Sequence, residues 1–260
     1  MTAQRNVMIG RRNLLLGGAA MSLSGCTVFD FINGDSGLRA VLQGTENLTM
    51  AAQRLLMGNA LAPEFTEADI RQNQHPNGST SVDDPDYLTM QAAGFAGYQL
   101  TVTGLVENPL TIPYAALTAM QARTQITRHD CVEGWSCIAK WTGVQLGTIL
   151  DQAKPTAKAR YVVFHCFDTI EHLLSGPLKY YESIDLVDAH HPQTILAWNM
   201  NDKPLPVENG APLRLRVERQ LGYKMAKYVK SIELVENFDA LGDGRGGYWP
   251  DNGYEWYAGI

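Results

Sequence analysis

Leu213, Leu215 and Val217 alternate with Arg214, Arg216 and Glu218. A period of two marks a strand with one face in the core. Here the opposite face carries two arginines, whose plain reading is a solvated face. Tyr98, Leu100 and Val102 alternate with Gln99, Thr101 and Thr103 in the same way. Residues 160–166 are rich in β-branched and aromatic residues and read as a buried strand; Tyr228 to Glu236 reads as another. Between these, Leu146, Ile149, Leu150 and Ala153 take the spacing of a helix face, which Pro155 ends. Strands and helices interleave without a regular βαβ rhythm. The expected fold class is therefore α+β with a mixed β-sheet.

The other elements are placed by the same rules. A helix is expected from Glu46 to Met57, with Leu48, Ala52, Leu55 and Leu56 on one face and Gly58 as its stop. Residues 59–94 read as a long excursion rich in Asn, Asp, Pro and Ser. Pro113 is expected to start a helix to about Ala122. Residues 126–135 read as partly extended, Thr142-Gly143 as a turn, and 167–195 as mostly loop. Glycines and aromatics make up a tail that can flatten over an apolar surface. Four regions result: 1–26, a leader; 27–94, linker and amino-terminal helix and loop; 95–237, the main domain; 238–260, the tail.

Arg11-Arg12 precede an apolar run of roughly a dozen residues, too short for a membrane-spanning helix of about 20. A basic start before a short apolar run is a secretory signal, and paired arginines point to the twin-arginine route. Leu23-Ser24-Gly25-Cys26 resembles a lipobox, which would put lipid on Cys26. The expected location is the periplasm, with the membrane touched only through that anchor. Net charge is -6, and the leader holds three arginines and no acid, so the remainder is more acidic still. Nucleic acid is an unsuitable partner for such a surface. With Cys26 lipidated, Cys131, Cys137 and Cys166 remain, an odd number in an oxidising compartment. At least one thiol is then unpaired.

Chemistry concentrates in residues 128–137, RHDCVEGWSC. Three readings of Cys131 stand side by side: a buried structural thiol, a nucleophile paired with His129, or a metal ligand. His129, Cys131 and Cys137 lack the paired spacing of a closed zinc site. A single thiolate suits a metal whose other ligands come from an organic cofactor.

The segment Cys131-Val132-Glu133-Gly134-Trp135-Ser136, followed by Trp141-Thr142-Gly143-Val144, resembles the cysteine segment of the sulfite oxidase family of molybdopterin enzymes. It is most similar to the exported bacterial branch that includes protein-methionine-sulfoxide reductase catalytic subunits. Residues 196–201, 205–206, 209–215 and 222–232 continue the resemblance in family order, over roughly 95–237. The resemblance implies a mixed-sheet molybdopterin-binding domain and a molybdenum–molybdopterin cofactor, with Cys131 as catalytic residue and molybdenum ligand. It implies that Asn209, Arg214, Met225, Ala226 and Lys227 bind the cofactor, with Asn77 and His75 as a weaker match. Cys166 stands where the family has a cofactor-contacting threonine. Cys137 is an extra cysteine, either a disulfide partner for Cys166 or a packed thiol.

Sulfite oxidases place arginines just after the cysteine to hold a dianion, whereas Glu133 here would repel sulfite. About 25 residues follow Val235, too few for a dimerisation domain, so a monomer is expected. The resemblance thus implies oxygen-atom or two-electron transfer on an S-oxide-type small molecule or protein. Electrons would come from a separate partner, a cytochrome or membrane haem protein, because no Cys-x-x-Cys-His motif occurs. The rivals are a sulfite dehydrogenase and a lipid-anchored, non-catalytic binding module.

Overall fold

The computed structural model describes residues 36–260 except Asn73 and Ser175, with the side chains of 36–43 left out. The leader and its lipobox-like cysteine lie outside the described residues. Two units are distinguished, one ending at Ala52 and the other running Gln53–Ile260. The first helix, α1 (Ser36–Met57), passes through that boundary. It starts ten residues before the expected Glu46, inside the stretch read as linker. Leu48, Leu55 and Leu56, on its expected apolar face, are all exposed, at 71%, 87% and 82%. The spacing identified the helix; the burial of that face did not follow. Gly58 ends it at φ +50.

Within 59–94, Asp84 accepts from the backbone N–H of Asp86 (3.1 Å) and Tyr87 (3.2 Å) and so caps α2 (Pro85–Ala92). Pro85 sits where its missing N–H costs nothing. The helix buries Tyr87, whose hydroxyl donates to Ala211 O at 2.8 Å.

Two sheets follow. In the first, β1 (Gln99–Gly104) lies parallel to β10 (Val229–Val235). The other three pairings are antiparallel, with β2 (Leu110–Pro113), β5 (Tyr161–Leu173) and β6 (Gly176–Asp185), in the order β2-β1-β10-β5-β6. The sheet is mixed, as expected. The second is antiparallel: β3 (Ala122–Asp130), β4 (Ser136–Gln145), β7 (Ile195–Met200) and β8 (Lys203–Pro204), with β9 (Arg214–Arg216) also on β7. Leu100, Val102, Val162, Val163, Phe164, Ile232 and Leu234 are fully buried. Each large apolar side chain so placed contributes about 1.5–3 kcal/mol. Between β2 and β3 lies the short helix α3 (Tyr114–Thr118), half the expected length because β3 begins at Ala122. Helix α4 (Leu146–Ala153) buries all four residues named for it and stops at Lys154, φ +56, before Pro155.

Three expectations are corrected. Residues 167–195 are not mostly loop: β5 runs on to Leu173 and pairs with β6 in a hairpin, followed by the short helix α5 (Leu186–Ala189) and the start of β7. Gly176-Pro177, a turn-forming pair by composition, opens β6. Thr142-Gly143 is no turn either. β4 continues through it, with a register irregularity against β7, and a Cβ at Gly143 would overlap the Leu196 carbonyl. The glycine permits close approach of two backbones. Finally, the arginine face of β9 is not solvated: Arg214 is 2% exposed and Arg216 0%. The tail packs through Phe238 on Tyr161, at 4.3 Å between ring centroids, and forms the last helix, α6 (Tyr248–Asp251).

Candidate active site

The β3–β4 hairpin is held by register from Ala122↔Val144 to Asp130↔Ser136. Residues 131–135 form its tip. Cys131 N–H donates to Trp135 O (2.9 Å) and Gly134 N–H to Cys131 O (3.1 Å), with Gly134 at φ +84. Only a residue without Cβ takes that turn cheaply. Asp130 accepts from Ser136 Oγ at 2.5 Å and from Arg128 Nε at 2.9 Å, closing the strand ends. Trp135 donates to Glu133 (2.8 Å) and meets His75 edge-on at 5.1 Å. The tip is thus braced, and Cys131 projects from it half-buried and unpaired.

Cys131 opens into a cavity of about 80 Å³ whose wall includes Asn77, Glu133, Asp168, Tyr223, Met225 and Lys227. A second cavity, beneath Leu56, Phe65 and Tyr257, is larger at about 360 Å³. Size does not choose between them; the thiol and the buried cation do.

Two basic residues converge here, Lys227 in the wall and Arg214 behind it. Arg214 donates to Asn77 Oδ1 (2.8 Å) and Asn209 O (3.1 Å), while its Nε is buried without a partner. Lys227 Nζ donates to Asn77 O (2.8 Å), Glu208 O (2.6 Å) and Ser79 O. Neither forms an ion pair with a carboxylate among the described residues. Burial, then repulsion from Arg216, lowers Arg214 to about 9. Burial, then Arg214, lowers Lys227 to about 7. Arg216 differs: Glu218 holds it at 2.5 and 2.9 Å, and it donates to His129 Nδ1 at 3.1 Å. Because an arginine only donates, His129 Nδ1 accepts and Nε2 carries the proton. Nε2 lies buried without a partner, against Gly222, where any Cβ would overlap the ring. Burial and the cations Arg214, Arg216 and Lys227 keep this imidazole neutral.

The three readings of Cys131 can now be weighed. It lines a cavity, so it is not a packed structural thiol. His129 is committed to Arg216 and held neutral, so it supplies no charge to a nucleophile. Burial raises the thiol's pKa, the Glu133 backbone opposes that, and the Glu133 carboxylate adds to it. Arg214 also lowers it, and a bound metal would favour the thiolate further.

Of the residues singled out in the sequence, Asn77, Cys131, Met225 and Lys227 reach the cavity wall. Arg214 and Asn209 stand one hydrogen bond behind it. His75 packs on Trp135. Ala226 is buried and accepts from Leu215 N–H through its backbone (2.8 Å). Cys166 lies in the core on β5, opposite Val229, and lines no part of the cavity. Cys137 and Cys166 are both free thiols. Asp168 on β5 and Tyr180 on β6 were missed, because both lie in the segment expected to be loop. Gly222 and Tyr223, within the 222–232 segment, also line the cavity, a role the sequence alone did not assign.

Residues 88–240 match the family model described as "Oxidoreductase molybdopterin binding domain". The chain is 34% identical over 250 residues, 96% of its length and 86% of the relative's, to a protein of Azospira oryzae named as a protein-methionine-sulfoxide reductase subunit, YedZ1. It is 37% identical over 145 residues to the protein-methionine-sulfoxide reductase catalytic subunit MsrP of Xanthomonas campestris. That match covers 54% of this chain and 45% of the relative, so the chain spans under half of it. Among solved structures, the sulfane dehydrogenase SoxCD from Paracoccus pantotrophus aligns at TM-score 0.48 and 18% identity, covering 73% of this chain and 51% of that one.

The residues present fit a molybdopterin. Its phosphate needs cations, and Arg214 and Lys227 are buried cations that no carboxylate contacts directly among the described residues. Its metal needs a thiolate from the protein, and Cys131 faces the same cavity as Lys227. Among the described residues no cluster of three or more His, Cys, Asp or Glu side chains could hold a metal alone. A ligand set completed by an organic cofactor is consistent with that.

Proposed function

Because the chain belongs to the oxidoreductase molybdopterin-binding domain family and is a molybdenum-dependent oxidoreductase, we propose that it reduces a neutral S-oxide, with Cys131 as the protein ligand to molybdenum. One observation carries the site: the Cys131 thiol and the buried ammonium of Lys227, whose hydrogen bonds all go to backbone carbonyls, share a single cavity. The substrate class is supported by Glu133, which lines that cavity beside Cys131 and disfavours a dianion such as sulfite. It is also supported by the names of the methionine-sulfoxide reductase relatives.

When bound, the cofactor supplies two-electron oxygen-atom transfer. The chain's own residues do the rest. The braced hairpin tip orients the Cys131 sulfur. With the cofactor bound, Lys227 and Arg214 would hold its phosphate; Asn77 ties the two together, accepting from Arg214 at Oδ1 and from Lys227 at its backbone carbonyl. Trp249, Ile170 and Tyr223 line the wall with apolar surface that admits a thioether-like substrate. Reducing an S-oxide takes two electrons and two protons and releases water. The electrons come from a separate haem carrier, since the sequence holds no haem or iron–sulfur motif of its own. Export by the twin-arginine route and lipid at Cys26 belong to the same reading. No helix among the described residues is long and apolar enough to cross a membrane.

The test is a paired assay on protein co-expressed with cofactor synthesis. Methionine sulfoxide should oxidise a reduced dye, and sulfite should not reduce an oxidised one. The reverse result makes the protein a sulfite dehydrogenase. Cys131→Ser should purify folded and nearly free of molybdenum; full retention of metal would contradict the assigned ligand.

A further inference from the structure

The larger cavity, about 360 Å³, has no part in the chemistry described above. Its volume falls within the range of small-molecule sites, about 300–1,000 Å³. The last turn of α1 and the segment after it, the end of β3 and the stretch after β9 form its wall, with Tyr257 and Ile260. Much of that wall is apolar: Leu56, Met57, Leu61, Pro63, Phe65 and Ile260. The charged side chains in it are already matched. Arg54 bonds Asp185, Arg128 bonds Asp130 at 2.9 Å, and Arg219 bonds Asp188 at 2.8 Å. Glu218 accepts from Arg216 and Gln125. No side-chain charge is left over for an ion, so the cavity suits a neutral molecule. Two polar atoms in the wall are not matched. Thr127 is 1% exposed and its hydroxyl has no hydrogen-bond partner; nor has the buried Nε of Arg54. Buried polar atoms are nearly always bonded, so each exception calls for a reason. An arginine nitrogen only donates, and a hydroxyl can donate. Acceptor oxygens on a ligand would satisfy both. An apolar wall with a few placed polar groups is how a site fixes a mostly hydrocarbon molecule.

We propose that this cavity binds a neutral, hydrocarbon-rich molecule through carbonyl-type oxygens, which accept from Thr127 Oγ1 and Arg54 Nε. Lipid esters and alkyl quinones share that chemistry. A carboxylate is disfavoured, because Glu218 and Asp130 stand in the same wall. Asp130 lines this cavity and Cys131, the next residue, lines the other, so a ligand here sits beside the hairpin tip. The site is separate from that of the proposed reaction, and the inference holds whatever the substrate of that reaction.

The experiment is isothermal titration of the full chain, stripped of copurified lipid, with methyl decanoate, decylbenzoquinone, decanoate and decane. The ester or the quinone should bind saturably. Decane and decanoate should bind at least about fivefold more weakly, the worth of one neutral hydrogen bond. Whichever of ester and quinone binds tighter identifies the source of the ligand. Thr127→Val keeps the shape of the side chain and removes its hydroxyl. It should weaken the better carbonyl probe about fivefold and leave decane unchanged. Thr127→Ser retains the hydroxyl and should bind like wild type. The proposal is overturned if neither carbonyl probe binds, or if decane or decanoate binds as tightly as they do. It is overturned equally if Thr127→Val binds the carbonyl probe like wild type, or loses decane to the same extent. No turnover is measured, so failure here leaves the proposed reaction standing, and failure of that reaction leaves this site standing.

Discussion

Four basic side chains are buried near the candidate site, and they fall into two pairs. Lys224 and Arg216 each have a carboxylate: Lys224–Glu182 at 2.5 Å with both side chains fully buried, and Arg216–Glu218 at 2.5 Å with 0% and 1% exposed. Arg214 and Lys227, equally sheltered, have only carbonyl and amide oxygens. A buried charge without a counter-charge is expensive, and a protein that keeps two such cations side by side has a use for them. The neutralised pair ties the turn Gly222–Lys224 and β9 into the fold. The other pair is arranged for an anion that arrives from outside. Similar residue types in similar burial thus serve structure in one place and ligand in another, and the counter-ion tells them apart.

The comparison is easiest to break at the neutralised pair. Lys224→Met leaves the Glu182 carboxylate buried alone, and a loss of about 3–5 kcal/mol in urea unfolding is expected. Replacing both, Lys224→Met with Glu182→Leu, should recover most of it. A single variant as stable as wild type would remove the distinction. At the other pair the effect should appear in loading rather than in folding. Arg214→Gln and Lys227→Met should each lower molybdenum content by about 10–100-fold. Their cofactor-free stability should stay within about 1 kcal/mol of wild type, or rise. Large destabilisation with normal loading would reverse the assignment.

The smallest effect is a slope with pH. Lys227 is depressed to about 7 from an ordinary 10.5. Between those values the unfolded chain holds a proton that the folded chain lacks. Cofactor-free protein should therefore gain stability as pH rises from about 7 towards 10. Lys227→Met should flatten that component, and so should cofactor loading, because a phosphate beside Lys227 restores its proton. Melting curves at pH 7, 8 and 9 give the slope, and parallel slopes for wild type and Lys227→Met would discount the buried cation.

Glu182 shows why such pairs escape a sequence. It lies in residues 167–195, where Gly176-Pro177 and His190-His191-Pro192 suggested loop. Its partner Lys224 is 42 positions away. Asn77 was marked only through a weak motif, and Arg214 reaches it across 137 positions. The helix at 146–153 was legible because its period is local and its four apolar residues share one buried face. α1 carried the same local signal, yet Leu48, Leu55 and Leu56 are exposed, since period alone does not say what lies opposite a face.

The order of residues alone determined that Cys131 lies in a segment of the sulfite oxidase kind, that the main domain mixes strands with helices, and that Arg214 and Lys227 stand in basic motifs. These depend on local period and on residue identity. Tertiary structure alone decided that those cations are buried without carboxylates, that Asp168 faces the thiol's cavity, and that Cys166 does not. Each of these is a through-space relation between distant segments, and it depends on desolvation and counter-charge, which exist only once the chain has folded.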